Sequence, residues 1–505
     1  MTSAAETLTR TEHESILNKS IGPLEDKIEH QKYVIEKLQR ELYGRKSEKH
    51  VVNESGEHQG DLFAGDLPEP VKEEQRTVKE HRRRKPRKPR FPDDTECEVV
   101  DQELDEADRT CECGELMKDI GYESCKQAHI IPARMTVREI RRHKYACSCK
   151  EGGVRIAPTT PSAFPKTQIT DETRANFLVQ KFVDHQPYYR QSKILGRDGI
   201  DIPDCSMSRY GLESADALAP IVLAMKLEVL NANYLQADET TLPVLKTQKA
   251  TPGAHRGYVW VYGAPRSTIV FEYQHGRGAV HPQAFLASFE GVLQTDRYKG
   301  YDGLRKLQSI IDVACWAHVR RKFVEANTYA GKRTKPILLA ISKLYAIEEM
   351  ARKEKMESDA RARLRVRESK PVLTHLKSLL DRERMRVLPS TPLGIAVRYA
   401  LTSWDALNRY VEHGNVEIDN NLIENAIRPI ALGRKNYLFA GSEGGAEAAA
   451  TIYSITETCR RLGVNPYTYL CDVFRRLATL GDPEEHRQLT PKQWAAEKES
   501  NPVVA

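Results

Sequence analysis

Three acidic residues occupy positions where carboxylates have a chemical use. Asp238 and Asp296 each end a short apolar run, NYLQAD and GVLQTD, and Glu424 lies in the helical stretch EIDNNLIENAIRPIALGRKN. Carboxylates held close together repel one another unless a cation is present. Oxygen donors suit Mg²⁺ and Mn²⁺, and two such ions activate water and stabilise the leaving oxygen of a phosphodiester. The trio therefore predicts a metal site that faces a phosphate backbone.

Neighbouring acids compete for these roles. Asp302 follows Asp296 by six residues. Glu417 and Asp419 precede the helix that carries Glu424, where acidic residues are common because they interact favourably with the helix dipole. Spacing alone leaves these competitors open.

Basic side chains follow two of these segments and are candidate DNA contacts. One set falls about one to three helical turns after Glu424, so at least part of it shares the face of that carboxylate. A second set opens a helix after the run SIIDVA, where Trp316 is more typical of a core position than of base stacking. A solvated helix surface is the alternative for both sets. The candidates are Arg428, Arg434 and Lys435 in the first set, and His318, Arg320 and Arg321 in the second.

The elements that must position these residues indicate an α/β domain. NYLQAD, GYVWVYG and STIVFEYQ are rich in aromatic and β-branched residues, which favour strands. A helix, HPQAFLASF, leads to the strand GVLQTD, and a short helix leads to SIIDVACW. This order predicts a mixed sheet, with Asp238 and Asp296 each near the end of a strand. Residues 318–410 have an almost wholly helical composition and look like an insertion before Glu424.

The N-terminal residues predict a coiled coil followed by a linker. Apolar residues over 21–42 recur with 3,4 spacing, which is typical of a short a/d seam or of an amphipathic helix docked on its own protein. Residues 50–95 are polar and Pro-rich, as linkers are. Within them, residues 81–90 hold seven Lys or Arg in ten positions. This basic run either contacts DNA phosphates or is simply solvated.

Two further segments predict binding modules. Helices over 188–195 and 206–218, the second capped by Ser206 or Ser208, have the outline of a helix-turn-helix or of any helical hairpin. Two cysteine pairs, separated by 33 residues, indicate a structural Zn²⁺ site or a set of buried thiols. Each pair has one intervening residue, a spacing that strains chelation by both members, and Cys97, Cys125, His129 and His143 are substitute ligands. The paired cysteines are Cys111, Cys113, Cys147 and Cys149.

Several long segments resemble the transposases of insertion-sequence family 66. The resemblance extends over nearly the whole chain and implies an RNase H-like catalytic domain, a mixed sheet flanked by helices, with a helical insertion. It also implies that Asp238, Asp296 and Glu424 are the catalytic acids, and that a zinc-binding module precedes them. The usual family spacing, two residues between paired cysteines, is not kept here. The matching segments are QADETTLPVL, LQTDRYKGYDGL, CWAHVRRKF, IDNNLIENAIRPIALGRKNYLFAGSEGGAEAAA, ETCRRLGVNPYTYL, LTPKQW and LYGRKSEK.

The resemblance and the composition together imply a multidomain layout. A chain of 505 residues exceeds the size at which a single core stops growing. We expect a coiled-coil segment, a basic linker, a zinc-binding-like module, a helical DNA-binding region, an RNase H-like domain with a helical insertion, and a helical tail. Their expected bounds are, in order, 1–49, 50–95, 96–160, 161–230, 231–455 with the insertion at about 326–410, and 456–505.

The implied function is DNA transposition. A transposase of this kind binds the ends of its insertion sequence, hydrolyses a phosphodiester with two Mg²⁺ or Mn²⁺ ions, and transfers the freed 3′ end to target DNA. Two double-stranded ends must meet, which implies a homo-oligomer, and the family implies accessory transposition proteins. A catalytically silent DNA-binding regulator and another RNase H-like nuclease are the alternatives.

Charge and hydropathy bear on the binding partner and on the expected location in the cell. The net charge is only +6, so the distribution of charge, not its total, indicates the nucleic-acid partner. No apolar run approaches the roughly 18 to 20 residues that span a bilayer, and the N-terminus has no apolar signal core. We therefore expect no membrane association and a cytoplasmic location, at the nucleoid of a bacterial cell.

Overall fold

The protein divides into two compact units, which we describe separately. The computed structural model describes residues 27–28, 30–35, 135–146, 154–159, 161–165, 167–245, 254–480 and 484–500. One unit comprises Met1–Arg45 with Thr160–Ala505, and the other comprises Lys46–Thr159. The four paired cysteines, the basic run at 81–90 and most of the coiled-coil seam lie outside the described residues. Among the described helices, none has both the length and the apolar composition needed to cross a membrane.

The described part of the smaller unit contains a short hairpin. Strand β1, Lys144–Ala146, pairs antiparallel with β2, Val154–Ile156. Arg142 extends this pairing, since its Nε donates to the carbonyl oxygen of Ala157 at 2.8 Å. Residues 136–145 are exposed, and among them Arg138, Arg141, Arg142 and Lys144 carry positive charge.

A five-stranded mixed sheet forms the centre of the larger unit, as the sequence predicts. Its order is β5-β4-β3-β6-β7, in which β3, β4 and β5 are antiparallel neighbours, and β6 and β7 continue parallel to β3. The strands are β3 Tyr234–Leu245, β4 Ala254–Gly263, β5 Ile269–Gln274, β6 Gly291–Thr295 and β7 Ile310–Ala314.

Three helices precede the sheet, and the last differs from the prediction. They are α1 Asp171–Phe182, α2 Tyr188–Arg197 and α3 Asp204–Leu230. The capping role expected of Ser206 or Ser208 is wrong, because Pro203 already occupies the cap and its carbonyl oxygen accepts from the Ser206 N–H at 3.0 Å. The helix also continues 12 residues beyond Leu218. Its buried positions 218, 221, 225 and 229 keep a helical spacing, so the same apolar face extends along the core.

A helical block lies between β7 and the segment of Glu424, and the helical composition predicted over 318–410 is confirmed. Its apolar residues pack with those of β7 in a core of their own, separate from the core on the other side of the sheet. Pro336 interrupts the hydrogen-bonding of the first helix, which kinks nearby at Ala330. One short helix, α4 Val280–Phe285, lies outside the block and precedes β6. The block contains α5 Trp316–Lys353, α6 Ser358–Leu364, a π-helical turn Arg365–Ser369, α7 Lys370–Arg384, α8 Pro392–Thr402 and α9 Trp404–Asn408.

The C-terminal helices cover the antiparallel side of the sheet. They are α10 Asn421–Tyr437, α11 Glu443–Arg461, α12 Pro466–Leu477, α13 Glu485–Gln488 and α14 Pro491–Ser500. Helix α11 packs on the edge strand β5, where hydroxyls of Ser454 and Thr458 accept from the backbone N–H groups of Phe271 and Ile269 at 2.9 and 3.1 Å. These bonds satisfy donors that an edge strand would otherwise expose.

Candidate active site

Asp238 lies within β3, not at its end. The strand continues for seven residues to Leu245, because the antiparallel pairing with β4 persists along its whole length and places Asp238 opposite Val261. The expectation of a strand end at Asp238 is therefore wrong. What ends near Asp238 is the parallel pairing with β6, whose last matched residues are Gln236 and Gln294.

Asp296 directly follows β6, as predicted, and the strand register brings it level with Asp238. Both acids lie two residues beyond the matched pair of Gln236 and Gln294 on parallel strands. Each carboxylate accepts a backbone N–H through Oδ1 at 2.8 Å, Asp238 from Glu239 and Asp296 from Tyr298. The two side chains are thus fixed by local hydrogen bonds on neighbouring strands.

Glu424 lies in the first turn of α10, which packs against β3. Its Oε1 is 3.6 Å from Nδ1 of His318, and its Oε2 is 3.4 Å from a guanidinium nitrogen of Arg321. Ligand atoms of Cys315, His318 and Glu424 lie within 4.8 Å of one another. Both Oε1 of Glu424 and Nδ1 of His318 are buried without a hydrogen-bond partner. Polar atoms left in this way are suited to an ion or to substrate.

The charges of the trio interact. The pKa of Asp238 is raised well above its usual value, first by burial, and then by the negative charges of Asp296, Glu239 and Glu424. The pKa of His318 is lowered, because burial disfavours the charged imidazolium. The negative charges of Glu424 and Asp296 act in the opposite direction and raise this pKa, but burial has the larger effect. A divalent cation among these carboxylates would reverse the repulsion and favour their ionised forms.

Two of the competing acids are neutralised by arginine. Asp302 is exposed and accepts from Arg305 at 2.5 Å. Glu417 is buried and accepts from Arg361 at 2.8 Å, with Arg266 at 3.1 Å. Burial raises the pKa of Glu417, but these guanidinium groups outweigh the effect and the net pKa is lowered. Their charges are satisfied within the fold, unlike that of Asp238.

The third competitor, Asp419, has a capping role. Its Oδ1 accepts from the backbone N–H of Asn421 at 3.1 Å, and its Oδ2 accepts from the Asn421 side chain at 2.9 Å. Asp419 therefore organises the start of α10, the place where acids were expected to act on the helix.

Glu239 is a buried acid that the sequence reasoning missed. Its side chain is only 2% exposed and forms an ion pair with Arg277. The hydroxyl of Tyr301 approaches the same carboxylate at 3.4 Å. Arg277 also stacks on the ring of Tyr298, with its guanidinium carbon 3.8 Å from the ring centroid. The partners lie 38 and 62 residues away along the chain, so no local pattern could reveal this pair.

The candidate DNA contacts differ in solvent exposure and in whether they already bind other groups of the protein. Lys435 and Arg320 are exposed, while Arg428 and Arg321 are half-buried. Arg434 binds within the protein, because its guanidinium donates to the backbone carbonyl and, at 2.6 Å, to the hydroxyl of Thr241. It therefore links α10 to β3.

Trp316 is a core residue, as its position indicated. Its side chain is fully buried, and Nε1 donates to the carbonyl oxygen of Leu407 at 2.9 Å. The ring packs edge-on against Trp404 at a centroid distance of 6.1 Å. It contacts the helical block and is not available for stacking on a base.

Comparison with protein families supplies the assignment. A model described as the transposase IS66 family matches residues 166–448, more than half of the chain, and this match spans the whole sheet and all three acids. The chain belongs to the IS66 transposase family. Among related sequences, the uncharacterized proteins y4qI and y4hP of Sinorhizobium fredii are 32% and 30% identical over 419 and 479 residues. The alignments cover 77% and 88% of this chain, and 75% and 85% of those proteins.

Further family models match much of the rest of the chain. The zinc-finger binding domain of transposase IS66 matches residues 108–150, which include all four paired cysteines. The IS66 C-terminal element matches residues 454–491, and a model described as transposase C of IS166 homeodomain matches residues 30–100. These matches support a transposase role and DNA binding for the IS66 family chain, and they support zinc binding in the cysteine segment.

Proposed function

We propose that this IS66 family chain cuts and joins DNA through Asp238, Asp296 and Glu424, on an RNase H-like domain formed by the mixed sheet and its flanking helices. The observation that carries the proposal is the register of β3 and β6, which makes two acids level on adjacent parallel strands. The uncompensated charge at Asp238 supports it further.

The donor set fits hard divalent ions. The three carboxylates would hold Mg²⁺ or Mn²⁺, two ions in all, which when bound activate water and stabilise the charge that develops at a phosphodiester. The protein itself holds the three carboxylates in position. Backbone N–H groups fix the carboxylates of Asp238 and Asp296. His318 and Arg321 lie against Glu424 and orient its carboxylate toward the two aspartates.

Basic surfaces in both units would bind double-stranded DNA. Exposed Lys435 and Arg320, with the half-buried Arg428 and Arg321, lie on the helices that begin at the site and are suited to phosphates. In the smaller unit, the exposed arginines beside the hairpin suit the same role. Cys111, Cys113, Cys147 and Cys149 would bind a structural Zn²⁺. Self-association and accessory transposition proteins complete the proposed assembly.

The test uses the purified full chain with Mg²⁺ and DNA that carries the inverted-repeat ends of its element. Wild-type protein should nick the ends and join them to a target. Asp238→Asn, Asp296→Asn and Glu424→Gln should each lower both reactions at least 100-fold while the Kd for end DNA changes little.

Asp302→Asn is the matched control, because Asp302 follows the same strand but is exposed and paired with Arg305. Its activity should stay within about twofold of wild type. Full activity of Asp238→Asn would overturn the assignment. Cleavage of branched or RNA–DNA hybrid substrates in preference to element ends would indicate a different nuclease, and DNA binding without any cleavage would indicate a silent regulator.

A further inference from the structure

A second group of metal-ligating side chains lies on the antiparallel side of the sheet. His255 is near the start of β4, His275 directly follows β5, and Glu443 is the first residue of α11. One ligand atom from each lies within 4.8 Å of the others. His255 is six residues from Val261, the strand partner of Asp238. At about 3.4 Å per residue, the group lies roughly 20 Å from that acid, so it is a separate site.

The distances within this group suit one tetrahedral ion. Nδ1 of His275 is 3.0 Å from Oε1 of Glu443, and Nε2 of His255 is 3.8 Å from the same oxygen. Ligand atoms at about 2.0 to 2.2 Å from a shared Zn²⁺ are separated by roughly 3.3 to 3.6 Å in tetrahedral geometry. The observed separations bracket that value. The two imidazole rings stack with centroids 4.4 Å apart and planes 27° apart.

Neighbouring residues build a support around the pair of rings. The hydroxyl of Tyr273 lies 3.0 Å from Nε2 of His255, the same nitrogen that faces Glu443, so an ion bound there would replace this hydrogen bond. Tyr273 reaches His255 by crossing over Gly257, where a Cβ atom would come within 2.6 Å of the tyrosine ring. A glycine is thus required at this point of β4.

The surroundings are also negative. Glu447 lies one turn beyond Glu443 on α11, so the two carboxylates share a face of that helix. The negative charge favours a cation over an anion at this site.

We propose that His255, His275 and Glu443 bind Zn²⁺ or a similar borderline divalent ion. Two imidazoles and a single carboxylate suit such ions better than Mg²⁺, which prefers a set of oxygen ligands. The ion fastens the end of the β4–β5 hairpin to the first turn of α11. The site is therefore structural, and it is independent of the cysteine segment and of the acidic trio.

The test counts bound Zn²⁺ in the metal-stripped full chain, by equilibrium dialysis in excess Mg²⁺ so that oxygen-rich sites are filled. Wild type should bind one more equivalent than His275→Ala, and Glu443→Gln should weaken that equivalent at least 10-fold. Since the cysteines are present in every variant, their contribution cancels. Zn²⁺ should also raise the unfolding midpoint of wild type more than that of His275→Ala, because ligand binding stabilises only the folded form.

His375→Ala is the control, since His375 is exposed on α7 and belongs to no metal-ligating group among the described residues. It should keep the wild-type stoichiometry. Equal Zn²⁺ binding by wild type and His275→Ala would overturn the proposal. His275 is 74% exposed, so its replacement should not prevent folding, and circular dichroism without metal checks this directly.

Discussion

At the scale of single residues, the acids of this protein differ by whether an arginine neutralises them. Glu348 and Glu417 are buried, but the guanidinium group of Arg361 lies 2.6 Å from the first carboxylate and 2.8 Å from the second. Asp238 is surrounded by other acids instead, and its pKa is raised as a result. A buried carboxylate is costly unless it is paired. Fold stability therefore does not explain Asp238, which supports the proposal that its carboxylate is a metal ligand.

Substitution of Asp238 should separate stability from function. In EDTA at pH 7, Asp238→Asn should raise the unfolding midpoint of the larger unit by about 2 °C or more, because the amide removes a charge that burial and its neighbours disfavour. Added Mg²⁺ should raise the midpoint of wild type and leave that of the variant almost unchanged. Thermal unfolding followed by circular dichroism measures both effects.

Asp302→Asn provides the comparison, because it removes a carboxylate that is exposed and paired with Arg305. Its midpoint should be close to that of wild type, and should respond to Mg²⁺ in the same way. A marked loss of stability in Asp238→Asn without metal would contradict the account, since it would mean that the carboxylate contributes to the fold.

The sequence was enough to predict which residues are candidates for the site, but it was not enough to predict the contacts that surround them. The acids that resemble the family motif were identifiable in advance, and so was the core position of Trp316. The ion pairs that eliminate Glu417 as a competitor were not, because Arg361 lies 56 residues before it. Such pairings depend on tertiary contacts, which no local spacing encodes.

At the scale of elements, the helical block is joined to the segment that leads to Glu424. Arg365, in the π-helical turn, is fully buried and pairs with Glu348 at 2.7 Å. It also donates to the carbonyl oxygens of Tyr410, His413 and Val416 at 2.7 to 2.8 Å. One guanidinium thus holds the chain that runs into Glu417, Asp419 and the start of α10. The block is a support for the site as well as an insertion.

Removal of Arg365 should therefore be costly. Arg365→Met should lower the free energy of unfolding by about 3 to 5 kcal/mol, because it leaves buried acceptors and part of the Glu348 charge without a partner. Arg365→Lys should recover only part of the loss, since one ammonium cannot reproduce the planar set of donors. Chemical denaturation followed by circular dichroism gives the difference.

The matched control is Arg367→Met, two residues further along the same π-helical turn. Arg367 is 73% exposed and pairs with Glu368 on the surface, so its loss should cost no more than about 1 kcal/mol. Equal stability of the Arg365 and Arg367 variants would show that the buried network does not hold the two elements together.

Element types followed from the sequence, but their ends did not. Aromatic and β-branched runs predicted β3, β4 and β5, because those residues pack well on a pleated surface, and the alternation with helices predicted β6 and β7. The end of β3 was misjudged because its second half, ETTLPVL, forms a strand only through its pairing with β4. The second helix of the predicted hairpin was expected to end at about Leu218, but α3 passes through Pro220 and continues to Leu230 with the same buried face. In both elements, tertiary packing overrode the local signal.

At the scale of the whole molecule, the N-terminal helix has two distinct faces. Residues 30–35 are helical, and His30 and Tyr33 contact Tyr329 of α5 with ring centroids 5.8 and 5.9 Å apart. Ile28 and Ile35, which belong to the predicted a/d seam, are each 55% exposed. The described part of this helix therefore docks on its own protein by one face and leaves Ile28 and Ile35 exposed on another. The two interpretations of the 3,4 spacing are compatible.

The proposed homo-oligomer would bring two DNA ends together, and the exposed seam residues are the surface we expect to supply the contact between copies. Ile28→Asp combined with Ile35→Asp should convert the oligomer to a monomer, because charge at a positions is incompatible with a buried coiled-coil core. Multi-angle light scattering at micromolar concentration measures the mass. Cleavage at a single DNA end should persist in the variant, while joining of paired ends should fall at least 10-fold.

Leu339→Asp is the control for general damage, since Leu339 is an equally exposed aliphatic residue on α5, at 56%. It should leave both the mass and the joining of ends unchanged. An oligomer that survives the double substitution would assign self-association to another surface. A monomer that still joins paired ends would be the more serious result, because it would mean that the DNA, and not the seam, brings the two copies together.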